Sequence, residues 1–151
     1  MRFLVRLLGG IWIATLVVTG GFAYLEVEDE RAKLAQDLQR RASLAGDAVR
    51  EAAEPLVARG ARGGFERVLK RFARPDRGVA IYDEFGSVLA ASVEVKPFLG
   101  PVLPQVSEAI QKNGPARQFH RLGGRTTWVH VVPLQREDRP VGAAAVFLDA
   151  Q

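Results

Sequence analysis

GVAIYDEFGSVLAASVEVKPFLGPVLPQVSEAIQKNGPARQFHRLGGRTTWVHVVPLQREDRPVGAAAVFLD, residues Gly78 to Asp149, decides the fold of this chain. Gly78 to Asp83 is an apolar run, Glu84-Phe85-Gly86 is a turn, and Ser87 to Ser92 is a second strand. Pro101 to Asn113 holds a helix that Gly114-Pro115 stops. Ala116 to Leu122 and Arg125 to Leu134 are strands joined by Gly123-Gly124. That pair is a strong hairpin signal, because glycine accepts the positive φ that two-residue turns need. Gln135 to Arg139 is a polar turn, and Val141 to Leu148 is the last strand. The order is β-β-α-β-β-β, which predicts an α+β domain with an antiparallel sheet of about five strands.

The rest of the chain ties this sheet to a membrane. Leu7 to Leu25 is nineteen residues without a charge. As a helix it rises about 28 Å, close to the roughly 30 Å hydrocarbon core of a bilayer. Arg2 and Arg6 precede it, and Glu26, Glu28, Asp29 and Glu30 follow it. The positive-inside bias puts residues 1–6 in the cytoplasm and everything after the span outside. A cleaved signal peptide is the rival, since Gly21-Phe22-Ala23 offers small residues at both positions a signal peptidase needs. The length of the apolar stretch, and the helix that follows without a break, favour the uncleaved anchor.

From Glu26 to about Arg59 the pattern is helical. Leu34, Leu38, Ala42, Ala45, Val49, Ala52 and Leu56 step by three or four and form one stripe. Asp37, Arg40, Arg41, Asp47, Arg50, Glu51 and Glu54 mostly fill the other faces, and Pro55 is expected to kink or restart the helix. The stripe fits a stalk lying against a second copy of itself, giving a homodimer, and it fits equally a helix covering one face of the sheet. Phe65 to Ala73 reads as a short amphipathic helix with Phe65, Val68, Leu69 and Phe72 on one face. Seven basic residues between Arg59 and Arg77 suit an anion or lipid-headgroup surface, but a solvated helix face is the better reading of such a run. Pro97, Pro101 and Pro104 predict an extended loop between Glu94 and Pro104 that crosses the open face of the sheet before the helix.

Composition narrows the chemistry. The absence of cysteine removes thiolate catalysis, disulfides and cysteine-based zinc sites. From Glu26 onward there are 19 basic and 17 acidic residues, too even a balance to argue for nucleic acid. There is no nucleophile motif, phosphate loop, metal-ligand spacing or paired carboxylate, so neither an enzyme nor a cofactor is expected. With a two-residue turn at Gly123-Gly124, Leu122 pairs with Arg125, His120 with Thr127, Phe119 with Trp128 and Arg117 with His130. Side chains alternate along a strand, so His120 and His130 point to opposite faces and cannot share a metal. Arg117, Arg121 and Arg125 lie near this hairpin. They suit a carboxylate site, because guanidinium binds carboxylates bidentately, but charges that keep an edge strand from pairing with another sheet are the favoured reading. The candidate ligand-binding set is Arg117, Arg121, Arg125, Trp128 and His130, with Tyr82 on the first strand.

The arrangement resembles the single Cache, or extracytoplasmic PAS-like, sensor domains of bacterial transmembrane receptors. VAIYDEFGSVLAAS, Val79 to Ser92, looks like the family's strand-turn-strand, and WVHVVPLQREDRPVGAAAVFLD, Trp128 to Asp149, like its last hairpin. The membrane helix and stalk complete the likeness. The resemblance implies the input part of a receptor in the bacterial inner membrane, with residues 7–25 spanning, 26–59 as stalk and 60–149 as sensor. Such receptors bind a small molecule or a partner and relay the change through a HAMP module, commonly to a histidine kinase. EPLVARG, Glu54 to Gly60, and the final strand also look like the sensor that precedes HAMP and a trehalose-phosphate synthase. A non-catalytic envelope protein using the sheet for protein contacts is the third reading.

Overall fold

The computed structural model describes the backbone of residues 2–60 and 62–150, and the side chains of residues 12, 15–21, 33–60 and 63–150. The chain forms two compact units, Met1–Asp37 and Leu38–Gln151. The first helix, α1 (Arg2–Ala58), contributes to both. In the first unit Trp12, Leu16, Val17 and Val18 are exposed, and the Thr19 hydroxyl donates to the Thr15 carbonyl at 2.8 Å. Among the described residues no helix is long and apolar enough to cross a membrane. The span expected at Leu7 to Leu25 falls largely on side chains outside the described residues, as do Glu26 to Glu30.

In the second unit α1 is followed by α2 (Phe65–Phe72), β1 (Arg77–Asp83), β2 (Val88–Ala91), α3 (Leu103–Lys112), β3 (Ala116–Leu122), β4 (Arg125–Arg136) and β5 (Arg139–Asp149). The five strands form one antiparallel sheet in the order β2-β1-β5-β4-β3. The expected α+β class and five-stranded sheet are present. The helix does not restart at Pro55; α1 runs on through it and stops at Ala58, within one turn. Proline removes one intrahelical bond, and near a terminus that bond is the least consequential. Residues Val93–Phe98 form a 3-10 helix where an extended loop was expected. Val95, 4 % exposed, anchors it in the core. The polar turn is tighter than read: Glu137 and Asp138 both take positive φ, and β4 and β5 extend to meet them.

Both faces of the sheet are covered, which explains why β5 reads as a continuous apolar run instead of alternating. On one face Val79, Ile81, Val132, Leu134, Ala144, Val146 and Leu148 pack against Ala42, Ala45, Val49 and Ala53 of α1 and Phe65 and Val68 of α2. From Leu38 onward the small-residue stripe of α1 is therefore occupied by the sheet. On the other face Tyr82, Val129, Val131 and Phe147 pack against Val95, Val102 and, from α3, Val106 and Ala109.

The turn between β1 and β2 is built by one side chain. Asp83 Oδ1 accepts the N–H groups of Phe85 at 2.9 Å and Ser87 at 2.8 Å, and Gly86 supplies the positive φ of 81°. Ser92 closes the same hairpin: the Val79 N–H donates to Ser92 Oγ at 3.1 Å in a buried setting. Ser92→Ala removes that acceptor, and a buried donor without its partner costs about 1–3 kcal/mol. Urea denaturation of the variant is expected to show that loss; an unchanged midpoint would mean the hydroxyl is dispensable.

Candidate functional site

The β3–β4 hairpin has the register read from its glycines. Leu122 pairs with Arg125, His120 with Thr127, Phe119 with Trp128 and Arg117 with His130. Gly123 and Gly124 take φ of 57° and 83°, which only glycine adopts without strain. Among the described residues no group of three or more His, Asp or Glu could hold a metal ion.

The six candidate ligand residues separate into different environments. His130 points to the face covered by α1 and is 1 % exposed. It lines a cavity of about 240 Å³ together with Arg117, Asp47 and Arg50 of α1, Asn113 and Gln135. Burial first, and then the positive charge of Arg117, push its imidazole down to about 4, while Asp47 pulls the other way. Arg125 lines a second cavity of about 280 Å³, between the hairpin and the 3-10 helix. Its other charged walls are Asp76, Arg77, Glu94 and Asp149, and Val95, Phe98 and Phe147 supply the apolar ones. Arg125 donates to Asp149 at 3.2 Å there, and Arg77 Nε donates to the Phe72 carbonyl at 2.8 Å.

The remaining three stand elsewhere. Arg121 is exposed on the edge strand β3. Trp128 meets Phe119 edge to face, with ring centroids 4.4 Å apart. Tyr82 is fully buried on the α3 side of the sheet; its hydroxyl has no hydrogen-bond partner, and burial raises its pKa to about 12. The structure thus brings Arg117 to His130, and sets Arg125 in a different cavity.

Sequence reasoning did not connect α1 to these residues. Asp47, Arg50 and Glu54 recur at helical spacing, so they lie on one side of α1 beside its apolar stripe. Arg50 stands 3.6 Å from Asp47 and 4.0 Å from Glu54. Glu54 Oε1 also accepts the Gln135 N–H at 3.0 Å, and Gln135 Nε2 donates to Asn113 Oδ1 at 2.8 Å. The spacing of those three charges was the available signal, but only the packing of α1 on the sheet gives it a destination.

No protein-family profile and no curated protein matches the chain. Among solved structures it is similar to a domain of an HTR-like protein from Haloarcula marismortui, at 12 % identity and a TM-score of 0.42, over 50 % of this chain and 99 % of that one. It is similar to a sensory box sensor histidine kinase from Vibrio cholerae, at 9 % identity and a TM-score of 0.42, over 62 % and 92 % of the two chains. It is also similar to the sensor domain of the V. cholerae histidine kinase DctB, at 15 % identity and a TM-score of 0.43, over 83 % of this chain and 57 % of that one.

Proposed function

We propose that this chain is the membrane-anchored, extracytoplasmic input domain of a bacterial signal-transduction protein, a histidine kinase or another HAMP-containing receptor. One observation carries the reading. A single helix, α1, contains both the nineteen charge-free residues Leu7 to Leu25 and the stripe that closes one face of the sheet. A charge-free helical segment of that length matches a bilayer core, and the arginines before it and acids after it orient it with the sheet domain outside, in the periplasm. A homodimer through the stalk belongs to this proposal; Leu34 of the stripe is 55 % exposed.

In this reading the domain acts by binding. The cavity at Arg125 carries two guanidinium groups, Arg77 and Arg125, beside three carboxylates, Asp76, Glu94 and Asp149. Mixed charge over apolar walls suits a small ligand bearing both signs. The sensor of a HAMP-linked trehalose-phosphate synthase would use the same site. The envelope-protein reading draws support from the α3 side of the sheet, where side chains such as Tyr82 and Val106 are fully buried.

The test is a thermal-shift screen of the full chain in lipid nanodiscs against amino acids, small carboxylates, sugars and divalent cations. A ligand at 100 times its dissociation constant adds about 2.7 kcal/mol of stability. A stabilising compound whose effect disappears in Arg125→Ala supports the sensor. A flat screen on folded protein favours the envelope reading.

A further inference from the structure

We propose that His130 is a proton-operated latch between the second half of α1 and the sheet: when its ring takes up a proton, residues 38–58 loosen from the surface of β4 and β5. The proposal goes beyond the ligand-binding reading and does not depend on it.

The geometry is a helix backbone laid on an imidazole. A Cβ built on Gly46 would stand 2.8 Å from His130 Cδ2, 3.2 Å from Nε2 and 3.3 Å from Val132 Cγ1. Only a glycine lets α1 come this close. The ring is 1 % exposed, and its Nδ1 has no hydrogen-bond partner. A neutral ring tolerates this seat. A protonated ring carries two N–H donors and a charge, and both need partners when buried.

The surroundings leave Nδ1 without an acceptor. The charged groups lining the cavity beside the ring are Asp47 and Arg50 from α1 and Arg117 from β3; its uncharged polar walls include Ser43, Asn113 and Gln135. Asp47 is the sole carboxylate among the described residues of that lining, and Arg50 stands 3.6 Å from it. Glu54, one turn further along α1, accepts the Gln135 N–H. Burial and Arg117 oppose a charged ring, and Asp47, with Arg50 beside it, is the one carboxylate of that lining that favours it. The cavity, about 240 Å³, gives protons a way to the ring.

The direction of the effect follows. Seated under α1, the ring titrates near 4; released into water, it titrates near its ordinary value of about 6.5. The released state thus binds the extra proton more readily. Docking of α1 is at full strength above about pH 6.5, weakens as pH falls, and the weakening levels off below about pH 4. Over that window the released population rises by about two orders of magnitude.

The experiment uses the full chain and two readouts: the carbon shifts of the His130 imidazole, and amide hydrogen exchange of residues 42–53 between pH 7 and pH 4, corrected for intrinsic exchange. His120→Gln assigns the imidazole signal. The expected result is a His130 midpoint well below 6.5 and a rise of up to about a hundredfold in exchange of residues 42–53 across the same window. Arg117→Ala should move both midpoints to higher pH, because a repelling cation is gone. His130→Gln should remove the step. An imidazole titrating at its ordinary value would overturn the proposal, as would a His130→Gln protein that keeps the wild-type step. Should His130→Gln fail to fold, an imidazole midpoint that stays put in Arg117→Ala overturns it instead.

Discussion

Gly142→Ala is expected to cost about 3 kcal/mol or more, the upper end of the range for steric insertion into a packed interior. Gly142 sits on β5 at the point where it pairs with Asp83 of β1 on one side and Leu134 of β4 on the other. A Cβ at this position would run into the backbone carbonyl oxygen of Tyr82, with the Tyr82 carbonyl carbon at 3.4 Å and Asp83 Cα at 3.6 Å. A side chain can swing aside, but these atoms belong to the neighbouring strand. Relief therefore means moving β1 away from β5, the central strand of the sheet. The register irregularity between Leu134 and Gln135 lies beside it, and β-bulges are places where a strand bends and backbones approach closely. Equilibrium urea denaturation followed by tryptophan fluorescence checks the prediction. A change below about 0.5 kcal/mol, the usual size of a surface substitution, would show that the strand yields more easily than this geometry implies.

Ile81→Ala is expected to destabilise the domain by about 2–5 kcal/mol. Ile81 is fully buried on β1, facing the layer formed by α1 and α2. Removing its outer carbons takes away their burial and leaves a cavity among Val79, Val146, Phe65 and the α1 stripe. The spread reflects how far those neighbours can close in, and a sheet pinned by helices on both sides closes little. Leu44→Ala is the matched control, since Leu44 is 65 % exposed on α1; it should change stability by less than about 0.5 kcal/mol. Equal losses in the two variants would mean that the α1 layer does not hold the core described here.

Much of the architecture was legible because its signals are local. The turn at Gly123-Gly124 requires positive φ at two adjacent residues, and once that is granted every pairing of β3 with β4 follows by counting. Asp83 and Gly86 likewise announce their turn within four residues. The alternation of strand side chains was enough to separate His120 from His130. The 3-10 helix at Val93–Phe98 was missed because Val95 is held by burial, which the prolines around it do not reveal. At Pro55 the helix continues without a restart, because the missing backbone bond lies within a turn of its end.

The candidate site was read less completely. Arg117 and His130 were paired correctly across the hairpin, but their partners come from a helix about 80 residues earlier, as the bond from the Gln135 N–H to Glu54 illustrates. No spacing rule links residues so far apart.

By itself, then, the sequence determined the order of elements, the turns, the hairpin register and the faces on which side chains alternate, because each depends on φ preferences and periodicity within a few residues. The tertiary structure alone decided that β5 lies between β1 and β4, that the α1 stripe from Leu38 onward is covered by the sheet, and that Gly46 brings α1 against His130. Those outcomes arise from burying apolar surface between distant segments, a free energy that belongs to the packed whole and to no stretch of the chain on its own.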